Sequence, residues 1–268
     1  MLRRLKTAVK ALRTRTKIQP IIIPTASSEL LKGKVGVVTG GSSGIGFAIA
    51  QAMVAAGAKV YIVGRREQVL QRAADAIGAY PLPLDISDVA MAEAAIERLS
   101  AEEDISLLVN AAGTHGRDAF LEVTEQTYDE VMSVNVKALY FISQAVARQM
   151  IRKHIAGHIL NVSSASSLKP SWTPYEISKR AVDGITRGMA HRLIAHGIVV
   201  NGIAPGPTAT PMMHRSDDLN WPANPSGRMS TPEEVAALAL FMLGPQGDGI
   251  VGDTFFITGG SGTVCIDK

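Results

Sequence analysis

The chain has 268 residues, 46% apolar and 19% charged, so a large core is available, and no run approaches the eighteen or so apolar residues of a membrane span. Its formal charge of +3 is unevenly held: residues 1–17 carry seven Lys/Arg and no acid, leaving 20 of the 27 basic residues against 24 acidic ones over 18–268. The remaining body is acidic and is not expected to bind nucleic acid, while the single cysteine, Cys265, excludes an intrachain disulfide and a paired-cysteine metal site.

Leu2, Leu5, Val9 and Leu12 recur at helical spacing among Arg3, Arg4, Lys6, Lys10 and Arg13, the pattern of a basic amphipathic helix. Three readings compete: a solvated or self-docking arm, attachment to anionic lipid or an acidic partner, and an organelle-targeting presequence. No secretory apolar segment is present. Pro20 and Pro24 bracket Ile21-Ile22-Ile23 as an extended connector, so residues 1–31 read as arm and linker and 32–268 as one domain. A soluble, cytoplasmic body is expected, with peripheral membrane contact by the arm left open.

From Lys34 onward short apolar runs alternate with longer stretches of helical period, the signature of βαβ units. Strands are predicted at 35–39, 59–63, 80–84, 106–110, 158–162, 199–203 and 254–258. Pro81 and Pro83 remove ladder donors from the third, which places it at a sheet edge. The order 3-2-1-4-5-6-7 satisfies that requirement. The fold class is therefore α/β: a single doubly wound, Rossmann-like domain with a seven-stranded parallel sheet flanked by helices. Thr231-Pro232-Glu233-Glu234 marks a helix start, with a hydroxyl at the N-cap, proline next and a carboxylate at the third helical position.

The first strand runs into Thr39-Gly40-Gly41-Ser42-Ser43-Gly44-Ile45-Gly46. Glycines 40, 44 and 46 allow a tight turn, close backbone approach to a pyrophosphate and close helix packing. Ser42, Ser43 and Ile45 then lie at the positive helix end that faces the anion; a glycine turn made only for packing is the alternative. At the end of the second strand Gly64 occupies the place of an acid that would bind a ribose 2′-hydroxyl, and Arg65 and Arg66 follow. Two cations without an acid favour NADP(H) over NAD(H), against the alternative of a solvated helix start. Asp85, followed by Ile86, either meets the adenine edge or caps the helix beginning near Ser87. Asn110, Ala111 and Gly113 end the fourth strand with small residues that admit the adenosine side, or simply pack closely.

In Tyr175-Glu176-Ile177-Ser178-Lys179 the phenol and the ammonium share one helix face. The lysine charge favours phenolate and is expected to draw the tyrosine toward the neutral range, an acid/base device.

These motifs, with Asn135 in Ser133-Val134-Asn135-Val136, Ser163-Ser164 and Pro205-Gly206, resemble the short-chain dehydrogenase/reductase family over roughly residues 32–262. The resemblance implies a tetrad of Asn135, Ser164, Tyr175 and Lys179. Tyr175 exchanges the proton while hydride passes to or from the nicotinamide, Lys179 also holds the ribose hydroxyls, and Asn135 holds a water joining Lys179 to solvent. Ser164 is preferred to Ser163, although only eleven positions separate it from Tyr175. Pro205, Gly206, Thr208 and Thr210 match the segment closing over the nicotinamide. A substrate lid is expected at about 207–229, irregular from 212 to 228. Leu168, Trp172, Met212, Met213 and Trp221 are candidates for an apolar pocket, with ordinary packing as the alternative. His115 and Arg117 read as surface-loop residues.

The resulting expectation is a metal-independent carbonyl reductase or alcohol dehydrogenase acting on a small-molecule carbonyl or secondary alcohol. The histidines lack ligand spacing. The rivals are an NAD(H)-linked enzyme on the same scaffold and an inactive dinucleotide-sensing or scaffold protein tethered by its arm. Family likeness implies a homotetramer, or else a homodimer.

Overall fold

A computed structural model describes residues 27–116, 119–213 and 219–264. Most of the basic arm and connector, Arg117, residues 214–218 of the lid and Cys265 lie outside the described residues.

Seven parallel strands form one sheet in the order β3-β2-β1-β4-β5-β6-β7. They are β1 (Val35–Thr39), β2 (Lys59–Gly64), β3 (Tyr80–Pro83), β4 (Ile105–Asn110), β5 (Gly157–Val162), β6 (Ile198–Pro205) and β7 (Thr254–Ile257). Every predicted strand is present, with ends displaced by at most two residues. The largest difference is in β6, which is buried along its whole length as a central parallel strand requires. The proline-bearing β3 pairs with β2 alone, so the missing amides fall on the outer edge. Although β3 ends at Pro83, the Leu84 amide still donates to the Gly64 carbonyl at 3.0 Å.

The helices are α1 (Gly44–Ala55), α2 (Glu67–Ile77), α3 (Val89–Glu102), α4 (Glu125–Met132), α5 (Leu139–Arg152), α6 (Pro174–Leu193) and α7 (Pro232–Leu243). Two apolar layers cover the sheet. On one face Ile49 and Met53 of α1 join Val235, Ala239 and Met242 of α7 against Val38, Leu107 and Ile203. On the other, Ile96 of α3 and Ile142, Val146 and Met150 of α5 meet Val37, Leu108 and Ile159. Alternate strand residues thus face opposite layers, the consequence of the two-residue period with both faces covered. The strand order reverses between β1 and β4, opening a crevice at their carboxyl ends where a doubly wound fold accepts ligands.

Candidate active site

Gly40 and Gly44 adopt φ of +67° and +56°, a region that penalises any Cβ. A Cβ on Gly40 would stand 2.8 Å from Ala112 Cα, and one on Gly46 would collide with the Gly40 carbonyl. The turn therefore lets the start of α1 approach β4 closely. Ser43 precedes the helix in extended conformation and makes no side-chain cap bond, so the first amides of α1 remain available to an anion. Thr39 fixes the opposite wall: its Oγ1 accepts from the amides of Ala111 and Ala112, each at 3.2 Å.

A cleft of about 760 Å³ begins at this turn and runs past Ala111, Gly113, Ser164, Tyr175 and Lys179 to Thr208, Thr210 and the lid residues Met212, Met213 and Trp221. Its glycine cradle and open helix end fit a pyrophosphate-bearing dinucleotide. Thr210 lies against the turn, its Cγ2 only 3.4 Å from where a Gly44 Cβ would stand. Thr208 bridges to Ser230, and Ala209 and Ser230 donate to Ser230 and Pro207 carbonyls, so the two ends of the lid are tied together. Arg228 closes the far end with a paired contact to Glu234 at 2.6 and 2.9 Å.

Tyr175 occupies the second position of α6. Its helix start is held by a capping box in which the Glu176 carboxylate accepts from Thr173 N and Oγ1 at 2.9 and 2.8 Å. Ser164 lines the cleft with Tyr175, where its hydroxyl favours the phenolate, and its Oγ accepts from Ser166 N at 3.1 Å. Ser163 is instead buried and bonded to the Lys179 carbonyl, so of the pair only Ser164 engages the phenol. Lys179 Nζ lies 5.7 Å from the Tyr175 ring centre and donates to the Val162 carbonyl at 2.9 Å.

Charge in this cluster differs from the sequence expectation. Burial pushes the Tyr175 phenol above its ordinary range; the Ser164 hydroxyl works against this and the Glu176 charge adds to it. Burial also pushes Lys179 down to about 8, opposed by Asp183 one turn on. Desolvation penalises both charged forms here and outweighs the simple attraction between ammonium and phenolate.

Asn135 is buried on a wide turn, Ser133–Ala138, that has π-helical geometry between α4 and α5, an irregularity frequent at functional sites. Its Oδ1 accepts from Thr114 N at 2.8 Å, and its Nδ2 donates to Thr114 O and Ser178 Oγ at 2.9 and 3.0 Å. A Cβ on Gly113 would sit 3.4 Å from this Oδ1 and 3.7 Å from Lys179 Nζ. Asn135 thus holds the β4 loop beside the lysine through protein groups.

Other expected residues fall outside the cleft. Asn110 lies below it: its amide donates to Ser143 Oγ and Asn161 Oδ1 at 2.8 and 2.9 Å, joining β4 to α5 and β5. Arg65 and Arg66 are exposed beyond β2, Arg65 on a separate groove with Glu125, Asp129 and Glu130. Asp85 accepts from Ser87 N and Oγ, whereas Asp88 caps α3; the helix-cap alternative for Asp85 is thereby corrected. Ile86 packs in the core. Leu168 and Trp172 are exposed and do not line the cleft, although Ser166 and Lys169 of the same loop do. His115, read as a surface-loop residue, in fact lines the cleft with its ring edge-on to Tyr175 at 6.1 Å. Lys169 and Ser261 also line it; neither is part of a recognised motif, so neither left a signal in the chain.

Residues 34–220 match the family model described as short chain dehydrogenase. A galactitol 2-dehydrogenase (L-tagatose-forming) from Cereibacter sphaeroides is 36% identical, covering 86% of this chain and 95% of the relative. A gluconate 5-dehydrogenase from Gluconobacter oxydans (strain 621H) is 34% identical, with the same two coverages. A crystal structure from Beutenbergia cavernae, provisionally described as an NAD(P) dependent gluconate 5-dehydrogenase with NADP bound at low occupancy, superposes with a TM-score of 0.78 at 32% identity. It covers 88% of this chain and 98% of that one.

Proposed function

This chain belongs to the short-chain dehydrogenase/reductase family and is an oxidoreductase acting on CH–OH groups, and on that footing we propose that it uses NADP(H) to interconvert a carbonyl and a secondary alcohol on a small polyhydroxylated molecule. The observation that carries the reading is the meeting of Ser164, Tyr175 and Lys179 along one cleft with the glycine turn. The dinucleotide, when bound, supplies or accepts hydride at its nicotinamide.

The amides at the start of α1 hold the pyrophosphate, and the Thr208–Thr210 segment covers the nicotinamide end. As a substrate carbonyl gains negative charge, the Ser164 and Tyr175 hydroxyls stabilise its oxygen. Tyr175, whose phenol is held protonated at neutral pH, donates the proton in reduction and takes it back in oxidation. Lys179 is charged below about pH 8 and stabilises the phenolate left behind. Asn135 keeps the β4 loop and the lysine in register.

NADP(H) is favoured by exposed Arg65 and Arg66 and by glycine in place of an acid at position 64. The polyhydroxylated class is supported by the names of the relatives and by Ser164, Ser166, His115 and Ser261 along the cleft. A homotetramer is the assembly proposed. The decisive experiment follows NADPH and NADH oxidation over polyhydroxylated ketones with wild type and Tyr175→Phe. The variant is expected to lose about 10²–10⁴-fold in kcat/KM while still binding NADPH. Undiminished turnover by the variant defeats the proton role, and a preference for NADH defeats the cofactor assignment.

A further inference from the structure

Three residues lining the cleft bear formally charged side chains: Lys169, Glu176 and Lys179. Two are already committed. Lys179 donates to the Val162 carbonyl, and the Glu176 carboxylate is taken up by the helix cap through Thr173. Lys169 differs. Its backbone is fixed at both polar groups, the amide donating to the Ser166 carbonyl at 3.2 Å and its own carbonyl accepting from Arg180 at 3.0 Å. Its ammonium has no ion-pair partner among the described residues, unlike the two charged groups of the cleft that protein contacts already engage.

The position of this cation gives it a consequence. Lys169 belongs to the segment joining Ser164 to Tyr175, the two groups that grip the reacting oxygen in the function proposed above, on which this inference rests. Lys169 is exposed and borders the cleft, so its ammonium is open to a ligand bound there. Residues 18–268 carry an excess of acids, and such a body repels anions at long range. A local cation without an internal partner therefore favours acceptance of an anion beside it.

We propose that Lys169 makes the site selective for a substrate whose polyhydroxylated chain ends in a carboxylate, a hydroxy or keto sugar acid rather than a neutral polyol or sugar. The Lys169 ammonium binds the carboxylate, while Ser164 and Tyr175 hold the oxygen several carbons away. Lys169 is a binding residue and takes no part in moving the proton.

Calorimetric titration of the full-length, NADPH-loaded protein with pentonates and hexonates, and with the matching alditols, tests this without requiring turnover. The expected result is at least a tenfold preference for the acids that shrinks as salt is raised. Lys169→Met should abolish the preference and Lys169→Arg should retain it, with NADPH affinity serving as the check that both variants fold. Equal binding of acid and alditol, no binding of any acid, or a preference that survives Lys169→Met overturns the proposal. Turnover is read separately. Acids that bind through Lys169 but are never oxidised or reduced defeat the reaction while leaving the lysine's role intact.

Discussion

Lys179 shows what burial does to a single functional side chain. Its ordinary pKa of 10.5 falls to about 8 because the ammonium is desolvated, which corresponds to a cost on the order of 3 kcal/mol at neutral pH. Below about pH 8 the amine is protonated in both folded and unfolded chains, and the cost is present in full. Between about 8 and 10.5 the unfolded chain holds a proton that the folded chain has released, so this group makes stability rise with pH. Lys179→Met removes the buried charge and leaves the Val162 carbonyl without its donor, a loss of about 1 kcal/mol. The larger effect should win: the variant is expected to melt higher than wild type at pH 7, with the gap closing by pH 10. Melting curves at several pH values check this, and a variant that melts lower throughout contradicts it. Activity should fall in the same variant, since the charge that destabilises the fold is the one that stabilises phenolate.

At the scale of elements, the start of α6 places the chemistry. Proline at its first position and the Thr173–Glu176 capping box fix the turn on which Tyr175 stands. Removing the hydroxyl by Thr173→Ala should cost about 1 kcal/mol, measured by urea unfolding, and should lower kcat as Tyr175 loosens; Thr173→Ser should restore both. A stable but equally active alanine variant would show that the cap has no hold on the phenol. The α6 start was as open to a sequence reading as that of α7, since Thr173-Pro174-Tyr175-Glu176 repeats the hydroxyl, proline and carboxylate of Thr231-Pro232-Glu233-Glu234. Tyr175 and Lys179 announced their shared face by spacing, and the caps at Thr173 and Thr231 are both legible because hydroxyl, proline and carboxylate stand within four residues. The wide turn carrying Asn135 had no such sign, because the extra residue in its turn is accommodated by contacts with Thr114 and Ser178, far away in the chain.

For the whole molecule, the surface bears on assembly. Phe120 and Leu121 are 69% and 92% exposed, and Tyr128 and Tyr140 lie open on α4 and α5. Space is open beside Gly184 and Gly188 on α6. Phe241 of α7 and Phe255 and Phe256 of β7 are also exposed. Exposed apolar side chains on several elements suit the burial that a closed tetramer would provide. Sedimentation velocity is expected to give about four times the 28.4 kDa chain mass, and an aspartate at Leu121 should shift it toward a smaller species. A monomer at all concentrations removes the tetramer from the proposed function.

The strand succession, the edge position of the proline-bearing strand and the glycine turn were all settled by local properties of the chain: a two-residue or helical period, a missing amide, a missing Cβ. Tertiary contact alone decided which polar groups are spent and which are free. Asn110 became a buried tie between strands, Ser163 turned to a backbone carbonyl and left Ser164 to the phenol, and His115 and Lys169 came to the cleft from loops without a motif. It also set the charge of Tyr175 and Lys179, because desolvation depends on neighbours brought together by folding and outweighs the pairwise attraction that their spacing implies.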